Sequence, residues 1–443
     1  MKSIQLSDHF SYGKLLRFTF PSVIMLVFTS VYGVVDGFFV SNYAGKAAFT
    51  AVNFIMPFLM ILGAAGFMFG TGGGALIAKN LGQGQNGRAN HLFSMIVFVS
   101  ALCGIVLSAA GLIFLRPLAA LLGAQGLLLE NSIRYARIIL LAVPAYILQY
   151  EFQCLFATSG KPALGLYVTV AAGMTNIILD ALFVAVFSWG LEGAAAATAL
   201  SQCVGGIVPL IYFAVPNGSL LRLGRFSFSR HALMQACANG SSELMSNISM
   251  SLVGMLYNIQ LLKYAGEDGV AAYGVLMYVN LVFQAVFIGY SVGAAPVVSY
   301  HYGAQTPLEL RNLLKKGLIL ISSFSVSMFA AAYFLAAPLA RIFTGYDPEL
   351  LNLTLRGFFI FSFSFLFAGF SIFGSSFFTA LNNGLVSAVI SFMRTLLFQT
   401  VSVLIFPVLL GVDGIWFSTV AAEAMAAAVT AFLLKIQRTR YHY

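Results

Sequence analysis

AAFTAVNFIMPFLMILGAAGFMFGTGGGALIA, residues 47–78, holds no charged side chain over 32 residues. About 20 apolar residues suffice to cross a bilayer as a helix. Lipid offers backbone groups no partner, so a spanning chain is either helical or a closed barrel. Long unbroken apolar runs, in place of period-two alternation, exclude the barrel. The rest of the chain reads the same way: it is 60% hydrophobic and 8% charged, where soluble domains run at roughly 45–50% and about 25%. The segment from about Phe18 to Val40 is too long for a signal-peptide core and has no small-residue cleavage site after it, so it is expected to be the first span.

Twelve spans are expected, near 18–40, 50–77, 92–115, 134–156, 166–188 and 193–214, then 236–261, 271–297, 313–336, 355–380, 385–409 and 414–436. The second six repeat the first at an offset of 221. Tyr43-Ala44-Gly45 recurs as Tyr264-Ala265-Gly266. Gly33 matches Gly254, Ala51 matches Ala272, Gly72 matches Gly293 and Gly82 matches Gly303. Gly190-x-x-Gly193 matches Gly411-x-x-Gly414, and Thr198 matches Thr419. One constant offset over so long a stretch marks a duplicated unit. The expected architecture is therefore all-α, with two pseudo-symmetric six-helix lobes: residues 1–214 and 236–443, joined by a linker at 215–235. A duplicated apolar unit of this kind points to a two-lobed membrane transporter. With six spans each, the lobes insert in the same orientation, related by an axis along the membrane normal.

The basic residues set sidedness. With the N-terminus inside, 15 Lys and Arg fall on the inner side, among them Lys2, Arg222, Arg225 and Arg230. Seven fall on the outer side, among them Lys46, and Arg394 is left inside a helix. Positive-inside topology then places both termini and the linker in the cytoplasm. The same distribution accounts for the net charge of +9 without nucleic acid. The four cysteines are scattered with no CxxC pair, which suggests no disulfide framework.

Gly70-Thr71-Gly72-Gly73-Gly74 lies inside an apolar span, with no strand before it and no Gly-Lys-Ser/Thr after it. Close approach of helices explains it better than a phosphate loop, and no nucleotide partner is expected. The five histidines fall in loops, inner ends or tails, which argues against a histidine metal site or proton relay in the membrane. No Ser/His/Asp set or HExxH supports an enzyme.

Ionisable residues within spans carry the information, because a carboxylate at a helix centre costs about 2.5–3.5 kcal/mol on insertion scales. Asp36, Asp180, Glu243, Arg394 and Glu423 qualify, with Glu151 near an inner end. Asp36 and Asp180 fall at similar depth in the outer half of the first lobe. Asn176 sits one turn before Asp180, and Thr198 lies about one turn into the sixth span. Two acids in a poorly hydrated site cannot both ionise cheaply, so one can hold a proton. The same oxygens could ligate a small cation such as Na+, or be satisfied structural carboxylates. In the second lobe Asp36 aligns with Tyr257, and Asp180 with Val401 or Ser402, so ion coupling is expected mainly in the first. Pro21 either kinks the first helix or starts it. Glu243 either pairs with Arg394 or faces a central cavity, where it would attract cationic substrate. Glu423 has no evident partner. Tyr32, Tyr278, Asn280 and Gln284 are candidate cavity residues.

These features together resemble the multidrug and toxic compound extrusion (MATE) family over essentially the whole chain. Val35-Asp36-Gly37-Phe38-Phe39-Val40 ends the first helix, and Asn176-Ile177-Ile178-Leu179-Asp180 lies in the fifth. The eighth ends Gly289-x-x-x-Gly293-x-x-Pro296-x-x-Ser299-Tyr300-x-Tyr302-Gly303-Ala304. Pro21, Tyr32, Asp36, Asn176, Asp180 and Thr198 resemble the first-lobe ion and proton site of DinF-type members. The eighth-helix ending and the Glu243 context resemble MepA-type exporters. The resemblance implies an antiporter of the bacterial inner membrane, driven by H+ or Na+ with no organic cofactor. It would expel amphipathic, often cationic drugs by rocking between inward- and outward-open V shapes, acting as a monomer. NorM-type members carry an acid in the tenth helix; residues 355–380 contain none, which turns attention to the first-lobe acids. The alternatives are a lipid-linked oligosaccharide flippase, which should line its cavity with several basic residues where this chain has only Arg394, and a membrane enzyme or channel.

Overall fold

A computed structural model describes residues 4–345 and 347–443, with backbone only for Lys46 and Phe343; Lys2 lies outside the described residues. Among the described residues twelve long helices follow one another. The first half holds α1 (Tyr12–Phe39), α2 (Lys46–Gly82), α3 (Asn86–Leu121), α4 (Gly126–Thr158), α5 (Pro162–Asp180) and α6 (Gly190–Ala214). The stretch Arg230–Gly303 turns at Gly266, where φ is 65° and ψ −156°, which separates α7 (230–265) from α8 (267–303). Then come α9 (Pro307–Thr344), α10 (Pro348–Ala380), α11 (Gly384–Leu410) and α12 (Val412–Tyr441).

The helix ends show why the chain breaks where it does. Ser11 and Ser229 accept from the amides of Lys14 and Ala232 to start α1 and α7. Asp347 accepts from Glu349 and Leu350 before α10, and Asn383 from Val386 before α11. These caps satisfy amides that a first turn leaves unpaired. Pro162, Pro307 and Pro348 stand in first turns, where the missing N–H costs nothing. The helices overrun the predicted spans: α3 starts six residues before position 92, and α7 six before 236. Hydropathy marks the part in lipid, whereas backbone hydrogen bonding continues to the next cap. The linker therefore shortens from 215–235 to 215–229. It lies along the first lobe, with the Arg222 and Gly224 amides donating to Asn90 Oδ1 at 2.7 Å and Ser94 Oγ at 3.0 Å, and Leu221 fully buried.

The duplication is visible in the backbone. Gly45 and Gly266, with φ of 91° and 65°, turn α1 into α2 and α7 into α8. Gly190 and Gly411, at 58° and 62°, open α6 and α12. Both pairs are 221 apart and occupy the left-handed region that favours glycine.

The halves meet at the end that carries both termini. The Phe10 ring lies 6.4 Å from His301, and Tyr441 lies 5.7 Å from Tyr302. There a Cβ on Gly82 would sit 2.0 Å from the Tyr300 carbonyl oxygen, and one on Gly303 2.0 Å from that of Lys79. Since 79 and 300 are also 221 apart, this contact is its own pseudo-two-fold image. Ser299 Oγ donates to the Ala75 carbonyl at 2.5 Å across the same junction. Towards the other end, Cβ atoms on Gly33 and Gly254 would meet nothing within 4 Å. The halves are thus packed closely at the terminal end. Gly82→Val should cost about 1–3 kcal/mol by overpacking and loosen this closure, read as a lower melting temperature in detergent. An unchanged melting temperature would contradict so close an approach.

Large apolar side chains such as Ile113, Leu121, Phe334 and Leu385 are exposed at 71%, 84%, 77% and 77%. With helices long and apolar enough to span, the chain is an integral membrane protein.

Candidate functional site

Asp36 lies one turn from the end of α1, which continues as a π-helical turn over Val40–Ala44. Asp180 ends α5, and a second π turn, Ala181–Val186, begins at the next residue. Such widened turns occur often at functional positions. Thr198 Oγ1 donates to Asp36 Oδ1 at 3.4 Å, and Asn176 Nδ2 donates to Thr198 Oγ1 at 3.5 Å. The carboxyl groups of Asp36 and Asp180 lie against each other. Asp36 is 8% exposed, Asn176 1% and Asp180 0%. Among the described residues neither Asp180 oxygen has a hydrogen-bond donor, nor does Asn176 Oδ1. The four residues singled out in the sequence thus converge. Thr198 is the ninth residue of α6, about two turns in rather than one, because α6 starts at Gly190.

Tyr135 of α4 stands beside this group, fully buried, with its hydroxyl near Thr198 and in electrostatic reach of both acids, and without a hydrogen-bond partner among the described residues. It was not singled out in the sequence; its signal is a tyrosine in an apolar span at the depth of the acids. Tyr32, one turn before Asp36, accepts from Gln149 Nε2 at 3.5 Å. Its partners are therefore inside the first lobe. Pro21 is the tenth residue of α1, well past the first turn, so it removes an interior hydrogen bond. Gly289 and Gly293 of α8 press on α1 at Val23, Ser22 and Thr19, right beside it.

At the matching positions of the second lobe the chemistry is closed. Tyr257, which stands where Asp36 does, donates to Gln399 Oε1 at 2.7 Å and lies 3.0 Å from Thr419 Oγ1. Tyr273 stacks on its ring at 5.3 Å. Nearby, Arg394 Nε donates to both Glu423 oxygens at 3.1 and 2.9 Å, and Nη2 to Gln284 Oε1 at 3.3 Å. Gln284 Nε2 then donates to Asn280 Oδ1 at 3.0 Å. Arg394 also sits in a π turn, Met393–Leu397. This corrects one alternative: Arg394 pairs with Glu423, not with Glu243. Glu423 is one residue past an i+3 step from Thr419, so the facing helix, not sequence proximity, decides its partner.

Glu243 makes no ion pair among the described residues. It lines a small cavity between the halves with Gly70, Thr71 and Gly74 of α2, Cys154 and Thr158 of α4, Pro296 of α8, and Thr379 of α10. The glycine run serves close packing, as expected: a Cβ on Gly72 would lie 2.1 Å from the Ala236 carbonyl oxygen. Of the six candidate cavity residues, Glu243 lines this space. Asn280, Gln284 and Arg394 belong to the second-lobe network, and Tyr278 lies on α8 at 41% exposure.

The MatE family model matches twice, over residues 21–182 and 244–405, one copy in each half. Among curated proteins, the multidrug export protein MepA of Staphylococcus haemolyticus is 23% identical over 435 residues, covering 96% of this chain and 94% of its own. MepA of Staphylococcus aureus is 22% identical over 434 residues with the same coverage. Among solved structures, a MATE protein in complex with MaL6 superposes with a TM-score of 0.94 at 22% identity, covering 100% of this chain and 99% of its own. A MOP superfamily transporter from Pyrococcus furiosus superposes at 0.93, with 22% identity and the same coverage. Two family copies arranged in a fold shared with these transporters leave one assignment: the chain belongs to the MatE family.

Proposed function

We propose that this protein is a secondary active exporter of amphipathic, often cationic compounds, driven by exchange for an ion held between Asp36 and Asp180. The observation that carries the reading is the difference between the lobes. In the first, two buried acids face each other, and both Asp180 oxygens and the Asn176 amide oxygen have no hydrogen-bond partner among the described residues. In the second, the equivalent positions are tied into a neutral network. A buried acid pair in which one carboxyl lacks partners is costly unless something binds to it, and the second lobe has no such need. The names of the curated relatives, multidrug export proteins, support the substrate class.

The proton is the better ion on this geometry. One proton shared between the facing carboxyls supplies the hydrogen bond that the Asp180 oxygens lack, and changes the charge of the lobe by one. Loading favours one conformation only through differential affinity for the two. The lobes, 1–214 and 230–443, would rock about the junction at Gly82 and Gly303, with α1 bending at Pro21. A flippase for pyrophosphate-linked lipids would want unpaired cations, and the Arg394 guanidinium is engaged by Glu423.

Glu243, lining the cavity between the halves, would attract the organic cation. Glu243→Gln should weaken cationic compounds about tenfold more than neutral ones of similar size, about 1.4 kcal/mol, in a detergent binding assay. Equal weakening of both classes would remove it from the cation site. We place the protein in the cytoplasmic membrane as a monomer with both termini inside. A single cysteine at Gly218 should resist a membrane-impermeant thiol reagent in intact cells; efficient labelling would reverse the orientation.

A further inference from the structure

Gln149 and Gln153 of α4 and Gln202 of α6 are buried, at 3%, 3% and 7% exposure. Among the described residues Gln149 Oε1, Gln202 Oε1 and both polar atoms of Gln153 have no hydrogen-bond partner. An orphaned buried amide is costly, and these three lie along one seam.

Their order follows from helix periodicity. Residues 135, 149 and 153 of α4 share one face, because steps of 14 and 4 are close to whole turns. On α6, Thr198, Gln202 and the glycines at 205 and 206 share the opposing face. The two faces touch: a Cβ on Gly206 would lie 2.4 Å from the Ala145 carbonyl oxygen, and one on Gly205 2.6 Å from the Gln149 side chain. Gln149 therefore covers the turn after Gln202. At one end of this seam stand Tyr135 and Thr198, beside the acid pair. Midway, Gln149 reaches Tyr32, one turn below Asp36 on α1. At the other end Gln153 is five residues from Thr158, where α4 finishes on the terminal side. From Tyr135 to Gln153 the seam runs about 27 Å at 1.5 Å per residue. Glu151 is not part of it; it points to the opposite face and accepts from Ser100 Oγ.

The duplicated lobe provides an internal comparison. Gln202 corresponds to Glu423, which is fully engaged by Arg394. The α10 stretch matching Gln149 and Gln153, residues 370–375, reads FSIFGS and holds no amide or acid. The seam of unpaired amides is thus confined to the lobe that carries the acid pair.

We infer that this seam is a proton path linking Asp36 and Asp180 to the terminal side of the membrane within the first lobe, with water bridging its amides. Buried polar groups without protein partners are the sites where proteins hold ordered water. A proton passes by breaking one O–H bond as the next forms, through water and the hydroxyls of Tyr32 and Thr198. The amides hold the chain in place by donating and accepting and are unchanged afterwards. The inference rests on the reading that the acid pair holds the exchanged proton.

The test is Gln149→Leu/Gln202→Leu in proteoliposomes carrying a lumenal pH dye, with substrate binding measured in detergent. Proton flux and substrate efflux should fall together about tenfold while substrate affinity stays at the wild-type value. Gln202→Asn, which keeps an amide, should transport near the wild-type rate. Gln202→Leu alone serves if the double variant does not fold, and should slow flux in the same sense. Wild-type flux in the leucine variants, alongside a dead Asp36→Asn, would overturn the path and leave the coupling reading intact. Wild-type pumping by Asp36→Asn would overturn both.

Discussion

Asp36→Asn is expected to abolish ion-driven efflux while the protein folds and still binds substrate. Asparagine keeps the shape, and Thr198 Oγ1, 3.4 Å away, can still donate to its amide oxygen. What is lost is the ionisable group. An ion that can no longer load cannot shift the balance between conformations, and a full switch requires a preference of about 5.5 kcal/mol. Efflux should therefore fall by about two orders of magnitude or more. Asp180→Asn should behave alike, because the pair shares one site. Asn176→Ala and Thr198→Ala each remove one neutral oxygen or donor and should slow transport less. Vesicle transport with parallel binding in detergent separates these outcomes; loss of binding in Asp36→Asn would show the site to be structural.

Arg394→Ala should be the most destabilising single change in the second lobe. It strands Glu423, whose side chain is 3% exposed, and frees the Gln284–Asn280 pair. Breaking one half of a buried ion pair costs about 3–5 kcal/mol, whereas replacing both halves with apolar residues is often neutral. Arg394→Leu/Glu423→Leu should therefore recover most of the stability lost in Arg394→Ala. Thermal unfolding in detergent measures both. A double variant no more stable than the single would mean that the pair is not the source of the loss.

The twelve spans were legible because lipid imposes one backbone solution and because Gly45 and Gly190 recur as Gly266 and Gly411, marking where helices must turn. Their ends were not, since Ser229 caps α7 and the helix starts six residues before hydropathy rises. Asp36, Asn176, Asp180 and Thr198 could be grouped from depth and helical spacing alone. The partner of Arg394 could not: Glu243 and Glu423 both sit at plausible depth, and only the packing of α11 against α12 chooses between them. Tyr135 and the three glutamines escaped notice because neutral polar residues in a span are ordinarily packed and paired. Only the contacts reveal that several of their polar atoms have no partner.

The most direct test reconstitutes the purified protein in proteoliposomes and follows a fluorescent organic cation under an imposed pH gradient, then under a sodium gradient at fixed pH. The wild-type protein should move the cation against its own gradient when the pH gradient is present, and Asp36→Asn should not. Equal uphill transport by wild type and Asp36→Asn would contradict the assignment of ion coupling to the first-lobe acids.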